Sequence, residues 1–273
     1  NPKSRKVFVG SQTELFAKFV PDEMVDKVCA VMALAPQHTF QVLTKWPDRM
    51  LKWTQGIDDN NGGWLEGDYY RDSLIEGEAQ NLYCKRHPAA DPSEWLAVHL
   101  PLPNVWLGTT AENQEWADKR IPSLLQTPAA KRFVSVEPML GQVDLRGIVL
   151  RSAAPYSGEL FYDALTGSGF RPSPLTGLPI EVYGEQLDWV ICGGESGHGA
   201  RPMHPDWVRS LRDQCVAASV PFHFKQWGVW LPYEEQGSSG LLVPVSQNPA
   251  YPSAVSIVEG ANATGPKWNW PAG

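Results

Sequence analysis

The sequence has no excess of positive charge, few cysteines and no long apolar run, and each absence excludes a class of protein. Its 273 residues include 23 lysines and arginines against 30 aspartates and glutamates, which gives a formal net charge of −7. That balance argues against a broad basic surface for non-specific nucleic-acid binding, but it leaves a local basic groove open. No apolar run approaches the roughly 20 residues of a membrane-spanning helix, and no secretory signal follows Asn1. We therefore expect a cytoplasmic protein that does not enter membranes.

The four cysteines are too scattered for a disulfide framework or a metal-binding motif. Cys29 and Cys215 fall on the apolar faces of predicted helices, and Cys192 lies within an apolar strand. Cys84 and His87 form a lone Cys-x-x-His pair, whereas zinc needs about four ligands. The pattern indicates reduced thiols and no metal site in this chain.

The common phosphate and nucleophile motifs are also missing. There is no Gly-x-x-x-x-Gly-Lys-Ser/Thr, and no Gly-x-Gly-x-x-Gly follows a strand. In the stretch GGESGHGAR (193–201), His198 occupies the place of the second glycine of a nucleophile elbow, so Ser196 is not expected to be a nucleophile. The glycines would let backbone amides approach a ligand closely, and a purely structural turn is equally compatible with them.

Alternating strand and helix patterns predict an α/β fold. Six short apolar segments predict strands, at residues 6–10, 39–45, 104–110, 131–137, 187–195 and 221–227. Helical patterns lie between them at residues 21–35, 113–125 and 205–219. We expect a parallel β/α barrel of about six strands, a partial TIM-like barrel, and leave open whether its amino-terminal edge is complete.

The barrel is expected to form a single domain over residues 1–228. Two segments interrupt the alternation and predict loop insertions, at residues 56–103 and 146–186. Residues 229–273 are rich in proline, glycine and serine and predict a carboxyl-terminal tail that lies over the surface.

Nearly every predicted strand ends in polar residues. In a barrel these ends converge on one mouth, and in an open sheet they line a crevice. Turns are polar for structural reasons too, but six such ends in a row favour a common site. The residues are Ser11 and Gln12, Thr44 and Lys45, Thr109 and Thr110 followed by Glu112 and Asn113, Ser135 and Glu137, Glu195 and Ser196, and Lys225 and Gln226.

Three of these residues are candidates for a catalytic role: Glu137, Glu195 and Lys225. A lysine at a buried strand end needs a partner, so Lys225 either pairs with Glu195 or Glu137 or binds substrate. The two carboxylates would suit a metal-independent hydrolase or transferase that uses them as acid and base. Arg201 is the residue that we expect to contact an anion.

Long stretches of the sequence resemble, in order and spacing, a prophage-associated family of unknown function, the phage gene-product 37/gene-product 68 proteins. The stretches are PKSRKVFVGSQTELF (2–16), VMALAPQHTFQVLTKWPDRM (31–50), NVWLGTTAENQEWADKRIP (104–122), RFVSVEPMLGQVDL (132–145), DWVICGGESGHGARPMHPDWVRSLRDQC (188–215) and PFHFKQWG (221–228). Members of that family look like radical S-adenosylmethionine (SAM) enzymes. The resemblance therefore implies a barrel that binds SAM and a 4Fe–4S cluster held by three closely spaced cysteines.

The resemblance also implies roles for the residues at the strand ends. The residues implied in cofactor binding are Ser135, Glu137, Gly193, Gly194, Glu195 and Ser196. The residues implied in substrate binding are Thr44, Lys45, Glu112, Asn113, Arg201 and Gln226. The substrate could be a small molecule, a nucleotide or a macromolecule.

The sequence departs from this family in one respect, because the three-cysteine motif is absent. In the family that motif precedes the segment equivalent to PKSRKVFVG. We expect either an amino-terminal truncation, which the missing initial methionine favours, or a member without the cluster. Without the cluster this chain would perform no radical chemistry, and it would act as a nucleotide- or protein-binding module.

Overall fold

The protein is represented by a computed structural model that describes residues 3–11, 13–56, 70–88, 98–150, 160–173, 175–235 and 238–244. Its strands are β1 (Lys6–Val9), β2 (Thr39–Thr44), β3 (Val105–Thr110), β4 (Lys131–Val136), β5 (Ile148–Leu150), β6 (Leu160–Asp163), β7 (Ser168–Pro172), β8 (Pro179–Tyr183), β9 (Trp189–Gly193), β10 (Phe222–Gln226), β11 (Trp230–Glu235) and β12 (Ser238–Pro244). Its helices are α1 (Asp22–Ala33), α2 (Pro47–Thr54), α3 (Tyr70–Arg86), α4 (Gln114–Gln126) and α5 (Pro205–Ala217).

The centre of the fold is a six-stranded parallel sheet in the order β1-β2-β3-β4-β9-β10. As the chain proceeds, each strand of this sheet pairs with the previous one on the same side. Because the connections between parallel strands are right-handed, the connecting helices then lie on one face of the sheet. The sheet curls into a half-barrel. The prediction of an α/β fold built on a parallel sheet of six strands is therefore confirmed, with each strand at its predicted place.

The two faces of this sheet differ in composition because side chains alternate along a strand. Val42, Val105, Val134 and Val190 lie on the convex face, where they join the apolar core that the helices cover. The residues at the alternate positions form the opposite side, which we call the concave face. Its members are Lys6, Phe8, Gln41, Leu43, Trp106, Gly108, Thr110, Lys131, Phe133, Ser135, Trp189, Ile191, Gly193 and His223.

The three helices that the sequence predicts, α1, α4 and α5, begin within one residue of their predicted starts, whereas α2 was not predicted. Pro21 precedes α1, whose first turn carries Asp22 and Glu23, and acidic groups are favourable at a helix N-terminus. His204 caps α5, since its Nδ1 accepts a hydrogen bond from the Asp206 amide. Helix α4 continues through Pro122 to Gln126.

The two predicted insertions contain elements that the sequence analysis did not assign. Residues 56–103 contain α3, whose Ile75 and Ala79 are fully buried. Residues 146–186 contain a four-stranded antiparallel sheet in the order β5-β6-β7-β8. Strands β11 and β12 pair as an antiparallel hairpin within the segment predicted to be a tail.

A buried ion-pair network fastens α3 to the half-barrel. Arg71 on α3 donates through Nη1 to both carboxylate oxygens of Asp26 on α1, each at 3.1 Å. Asp26 also accepts from the Trp53 indole at 3.0 Å, and Arg71 reaches Asp22 at 3.2 Å. Burial raises the pKa of Asp26 and outweighs the opposing effect of Arg71. Buried polar and charged groups, which are desolvated, thus attach the insertion to α1 and α2.

None of the helices in the described ranges has both the length and the apolar character of a membrane span.

Candidate functional site

The carboxyl ends of the six parallel strands bring polar side chains to one edge of the sheet. We define the carboxyl-edge site as Lys45, Glu112, Glu137, Gly193, Glu195 and Lys225. Lys45, Glu137 and Lys225 continue the alternation of the concave face from β2, β4 and β10. Function in parallel α/β folds is concentrated at this edge, because the loops that follow the strands all meet there.

Glu137 is the carboxylate of the site that contacts β10. The Lys225 ammonium lies 3.0 Å from its Oε1 and 3.2 Å from its Oε2, and the Gln226 amide donates to Oε1 at 3.4 Å. The neighbours Lys225 and Gln226 both reach Glu137 because the β9–β10 register shifts between Phe224 and Gln226. The Glu137 side chain remains 18% exposed and that of Lys225 54%, so a ligand can approach the pair.

Glycines at the end of β9 make room for this arrangement. A Cβ at Gly193 would lie 2.9 Å from Glu137 Oε1, so the carboxylate can lie over this position only if it has no side chain. A Cβ at Gly194 would lie 1.9 Å from the Trp227 carbonyl oxygen. The Gly194 amide donates to the Gln226 carbonyl at 2.8 Å. Gly193 therefore shapes the ligand side of the edge, whereas Gly194 serves the packing of two chain segments.

Glu112 forms a second charged group on the β2–β3 side of the edge. Arg120 donates to its Oε2 at 2.8 Å, Thr110 donates to its Oε1 at 3.0 Å, and the Lys45 ammonium lies 3.7 Å from Oε1. The Arg120 guanidinium also stacks on Trp116, 4.0 Å from the ring centroid. Glu112 and Arg120 are both buried, which leaves Lys45 as the exposed charge of this group.

Glu195 is held by the loop that follows it. The Arg201 side chain donates to both carboxylate oxygens, from Nε at 2.9 Å and Nη2 at 2.8 Å, and the Arg201 amide donates at 2.8 Å. These hydrogen bonds lower the pKa of Glu195 from its ordinary value to about 2. The anion that the sequence predicted beside Arg201 is therefore a side chain of the same loop. Glu195 is ionised at neutral pH and has no proton to donate as a general acid.

Three other predicted site residues have structural partners, and a fourth is buried. Thr44 is buried and donates to Glu14 at 2.5 Å, and Asn113 caps α4 by accepting from the Trp116 amide at 3.1 Å. Ser196 accepts from the Gln226 amide at 3.0 Å. Ser135 is buried on the concave face. The structure thus brings Glu137, Gly193 and Lys225 together, whereas Thr44 at the end of β2 and Asn113 at the cap of α4 bind neighbouring groups of the chain.

Two residues near the site were missed by the sequence analysis. Glu14 accepts from the Lys45 amide at 2.9 Å as well as from Thr44, but it lies in the loop after β1, where no strand-end pattern marks it. Arg120 was detectable, because it is a charged residue within the apolar stripe of α4 and such a residue needs a buried partner. Of the remaining strand-end residues, Ser11 is exposed, and Gln12 falls outside the described residues.

The cysteines do not fit an iron–sulfur cluster. Cys29, Cys192 and Cys215 are buried in the core, and burial raises the pKa of Cys192 and of Cys215 to about 12. Cluster and metal ligation require thiolates, which these sites disfavour. Cys84 lies apart from them on α3. Within the described ranges, no three histidine, cysteine or acidic side chains form a group that could hold a metal ion.

Comparison with known proteins gives a family match. The sequence matches the family described as "Protein of unknown function (DUF5131)" over residues 1–268. No curated protein and no solved structure gives a significant match. The family's description assigns no chemistry, so the geometry of the carboxyl-edge site has to support any function.

Proposed function

We propose that this chain, which belongs to the DUF5131 family, is the SAM-binding half-barrel of a phage- or prophage-derived radical SAM-type enzyme with an unidentified substrate. Its own part in that enzyme is to bind and orient SAM at the carboxyl-edge site. The same edge would receive the substrate, beside Lys45 and Arg201.

The observation that carries this proposal is the exposed pair of opposite charges at the end of β4. Glu137 and Lys225 lie 3.0 Å apart and remain partly open to solvent. SAM offers an ammonium and ribose hydroxyls, which a carboxylate accepts, and a carboxylate, which a lysine binds. A zwitterionic ligand can thus exchange the internal ion pair for two external ones. The absence of a side chain at Gly193 leaves the Glu137 carboxylate free to take this position.

The iron–sulfur cluster of such an enzyme does not fit the cysteines of the described residues. When bound, a cluster would supply the electron for reductive cleavage of SAM. The proposal assigns no step of that reaction to the residues described above, whose contribution is binding and orientation.

A second candidate is a binding module that recognises SAM or another nucleotide without turning it over. The burial of Cys29, Cys192 and Cys215 favours it, since these thiols are structural. The hydrolase or transferase hypothesis has less support, because Arg201 occupies both carboxylate oxygens of Glu195 and the lowered pKa leaves Glu195 no proton to donate as an acid.

Isothermal titration calorimetry with SAM, S-adenosylhomocysteine, methionine and adenosine tests the proposal. Glu137→Gln removes the charge of the side chain and keeps its shape. The variant should bind SAM roughly 10- to 100-fold more weakly, because it loses a charge-assisted hydrogen bond worth about 1.5–3 kcal/mol. Glu181→Gln, at an exposed carboxylate of β8, is the matched control and should bind as the wild type does.

Failure of wild-type protein to bind SAM, or equal binding by Glu137→Gln, would overturn the proposal. The coding sequence upstream of the Asn1 codon then separates the two candidates. A continuous reading frame that carries three closely spaced cysteines supports the enzyme, because those thiolates can hold the cluster, and a frame without them supports the binding module.

A further inference from the structure

We infer that the concave face carries a binding site for single-stranded nucleic acid, separate from the carboxyl-edge site. The site is a row of aromatic side chains across the amino-terminal half of the sheet, Trp106, Phe133, Trp189 and His223, which we call the aromatic row. That the bound nucleic acid is the substrate of the enzyme rests on the proposed function. That the aromatic row binds nucleic acid rests on the observations below.

The aromatic row crosses four neighbouring strands. The ring centroids of Trp106 and Trp189 lie 6.1 Å apart, those of Phe133 and Trp189 5.6 Å, and those of Trp189 and His223 6.2 Å. The row is this compact because Gly108 has no side chain, since a Cβ there would lie 2.5 Å from the Phe133 ring. Phe133 is buried beside Trp189 and leaves the other three rings as the accessible part of the row.

The row is accessible from the side of the sheet opposite the helices. Trp106 and Trp189 are half-buried, His223 is exposed, and the neighbouring Phe8 is 44% exposed. The alternate residues of the same strands point to the other face and pack into the apolar core that the helices cover. Packing against the helices therefore gives no reason for large aromatic groups at these positions.

Cations surround the row although the whole chain is acidic. The Lys6 ammonium lies 5.7 Å from the Trp106 ring centroid, and Lys131 and Lys225 stand on the same face with half-exposed side chains. The acidic groups facing them are Asp188, 2.6 Å from Lys131, and Glu137, 3.0 Å from Lys225. Lysines beside stacked aromatic rings match bases that carry phosphates, because the rings bind the bases and the ammonium groups bind the backbone.

The size of the row favours a polymer over a free nucleotide. Strands lie about 4.8 Å apart, so a row across four of them is about 14 Å long and offers stacking surface for two or three bases. A duplex keeps its bases stacked on one another and hidden from such a surface, whereas a single strand presents them.

The row is also close enough to the carboxyl-edge site to serve it. Trp106 and Thr110 are four positions apart on β3, which corresponds to about 13 Å along the strand. A strand anchored on the row therefore extends a neighbouring nucleotide to the edge where Glu137 and Lys225 lie.

Fluorescence anisotropy with labelled single-stranded RNA and DNA 12-mers of mixed sequence, at low and moderate salt, tests this inference. We expect binding that weakens with salt. We expect Trp106→Ala and Trp189→Ala each to lower the affinity for the 12-mer about tenfold or more, because each variant lacks a ring on which one base stacks. Phe170→Ala, at a 52% exposed aromatic group of β7, is the control and should leave affinity unchanged.

Trp189→Phe keeps a ring at the same place, so retained binding in this variant and loss in Trp189→Ala separate stacking from misfolding. Wild-type protein that binds neither 12-mer, tryptophan variants that bind normally, or an adenosine monophosphate that competes as well as the oligomer would each overturn the inference. Calorimetry on the same variants distinguishes the two proposals. Trp189→Phe and Trp106→Ala should bind SAM normally. Glu137→Gln should bind SAM weakly but the 12-mer at least as tightly as the wild type does, because the Lys225 ammonium loses its ion-pair partner.

Discussion

Arg201 and Glu195 illustrate what a single residue type does and does not predict. The sequence indicates that Arg201 meets an anion, and the structure supplies that anion six positions earlier in the same loop. The loop can turn back on itself because Gly197 and Gly199 adopt positive φ angles of 100° and 73°, which glycine favours. The chemistry of the pair was predictable from Arg201, but the identity of its partner depended on this backbone path.

The Glu195 carboxylate gives a prediction about pH. Its pKa in the folded protein is lowered to about 2, below the value of about 4.3 in an unfolded chain. The ion pair therefore contributes stability above the unfolded pKa, and this contribution is lost as the pH falls from about 4.3 towards 2. Carbon-13 NMR of labelled glutamate side chains should show one carboxyl that titrates near pH 2.

Arg201→Gln should return that carboxyl to the range of the other exposed glutamates. Arg146→Gln is the control, since Arg146 pairs with the exposed Asp144 elsewhere on the surface. A wild-type Glu195 that titrates above pH 4 would contradict the proposed pairing.

Two adjacent glycines give a second prediction. Gly193→Ala should leave the fold intact and weaken SAM binding, because the new methyl group displaces the flexible end of Glu137. Gly194→Ala should destabilise the protein by about 1–3 kcal/mol, because its methyl group meets the Trp227 backbone. Urea denaturation and calorimetry on both variants measure the difference, and equal effects on stability would disprove the assignment of separate roles.

At the level of secondary structure, apolar strands followed by capped helices were predictable, whereas the inserted elements were not. Strands β1, β3 and β9 are apolar runs with helix signals after them, so their positions followed from the sequence. Helix α3 has polar residues around most of its surface, and its burial depends on Arg71, whose partner Asp26 lies 45 residues away. Because the two residues lie so far apart in the sequence, no local sequence pattern indicates that they form a contact.

The attachment of α3 gives a third prediction. Arg71→Met leaves Asp26 buried without its cation, and loss of one member of a buried pair costs about 3–5 kcal/mol. Lys27→Met is the matched control, because Lys27 reaches Glu78 between the same two helices with both side chains substantially exposed. It should cost no more than about 1 kcal/mol. Equal losses in urea denaturation would contradict a specific role of the buried network.

At the level of the whole molecule, the four-stranded insertion shares its core with the half-barrel. Ile148, Tyr162 and Leu165 belong to the same buried cluster as Val134 and Val190. We therefore expect the insertion and the half-barrel to unfold together, as one cooperative unit. Native-state hydrogen exchange in increasing urea should show the amides of β4, β6 and β9 losing protection at one urea concentration. Loss in β6 well before β4 and β9 would show that the insertion is a separate unit.

The curvature of the sheet was the least predictable property of the whole molecule. Alternating strands and helices predict a parallel sheet, and an open sheet and a barrel share that pattern. Contacts such as that of Phe133 over Gly108 join different strands and form only after folding, so no local sequence pattern separates the two architectures. The carboxyl-edge site was predictable as a set of strand ends, but the selection of Glu137 and Lys225 from that set required the distance between them in the folded chain.

The strand order β1-β2-β3-β4-β9-β10 has a consequence for how the rim of this sheet can change. Because the strands of the sheet follow one another in the order of the chain, each strand with its following loop supplies one sector of the rim, and the sectors follow one another as their codons do. Ion pairs join some of these sectors, as Lys45 joins Glu112 and Glu137 joins Lys225. Recombination within the gene can therefore exchange ligand contacts without rebuilding the sheet, provided that both members of such a pair are exchanged together.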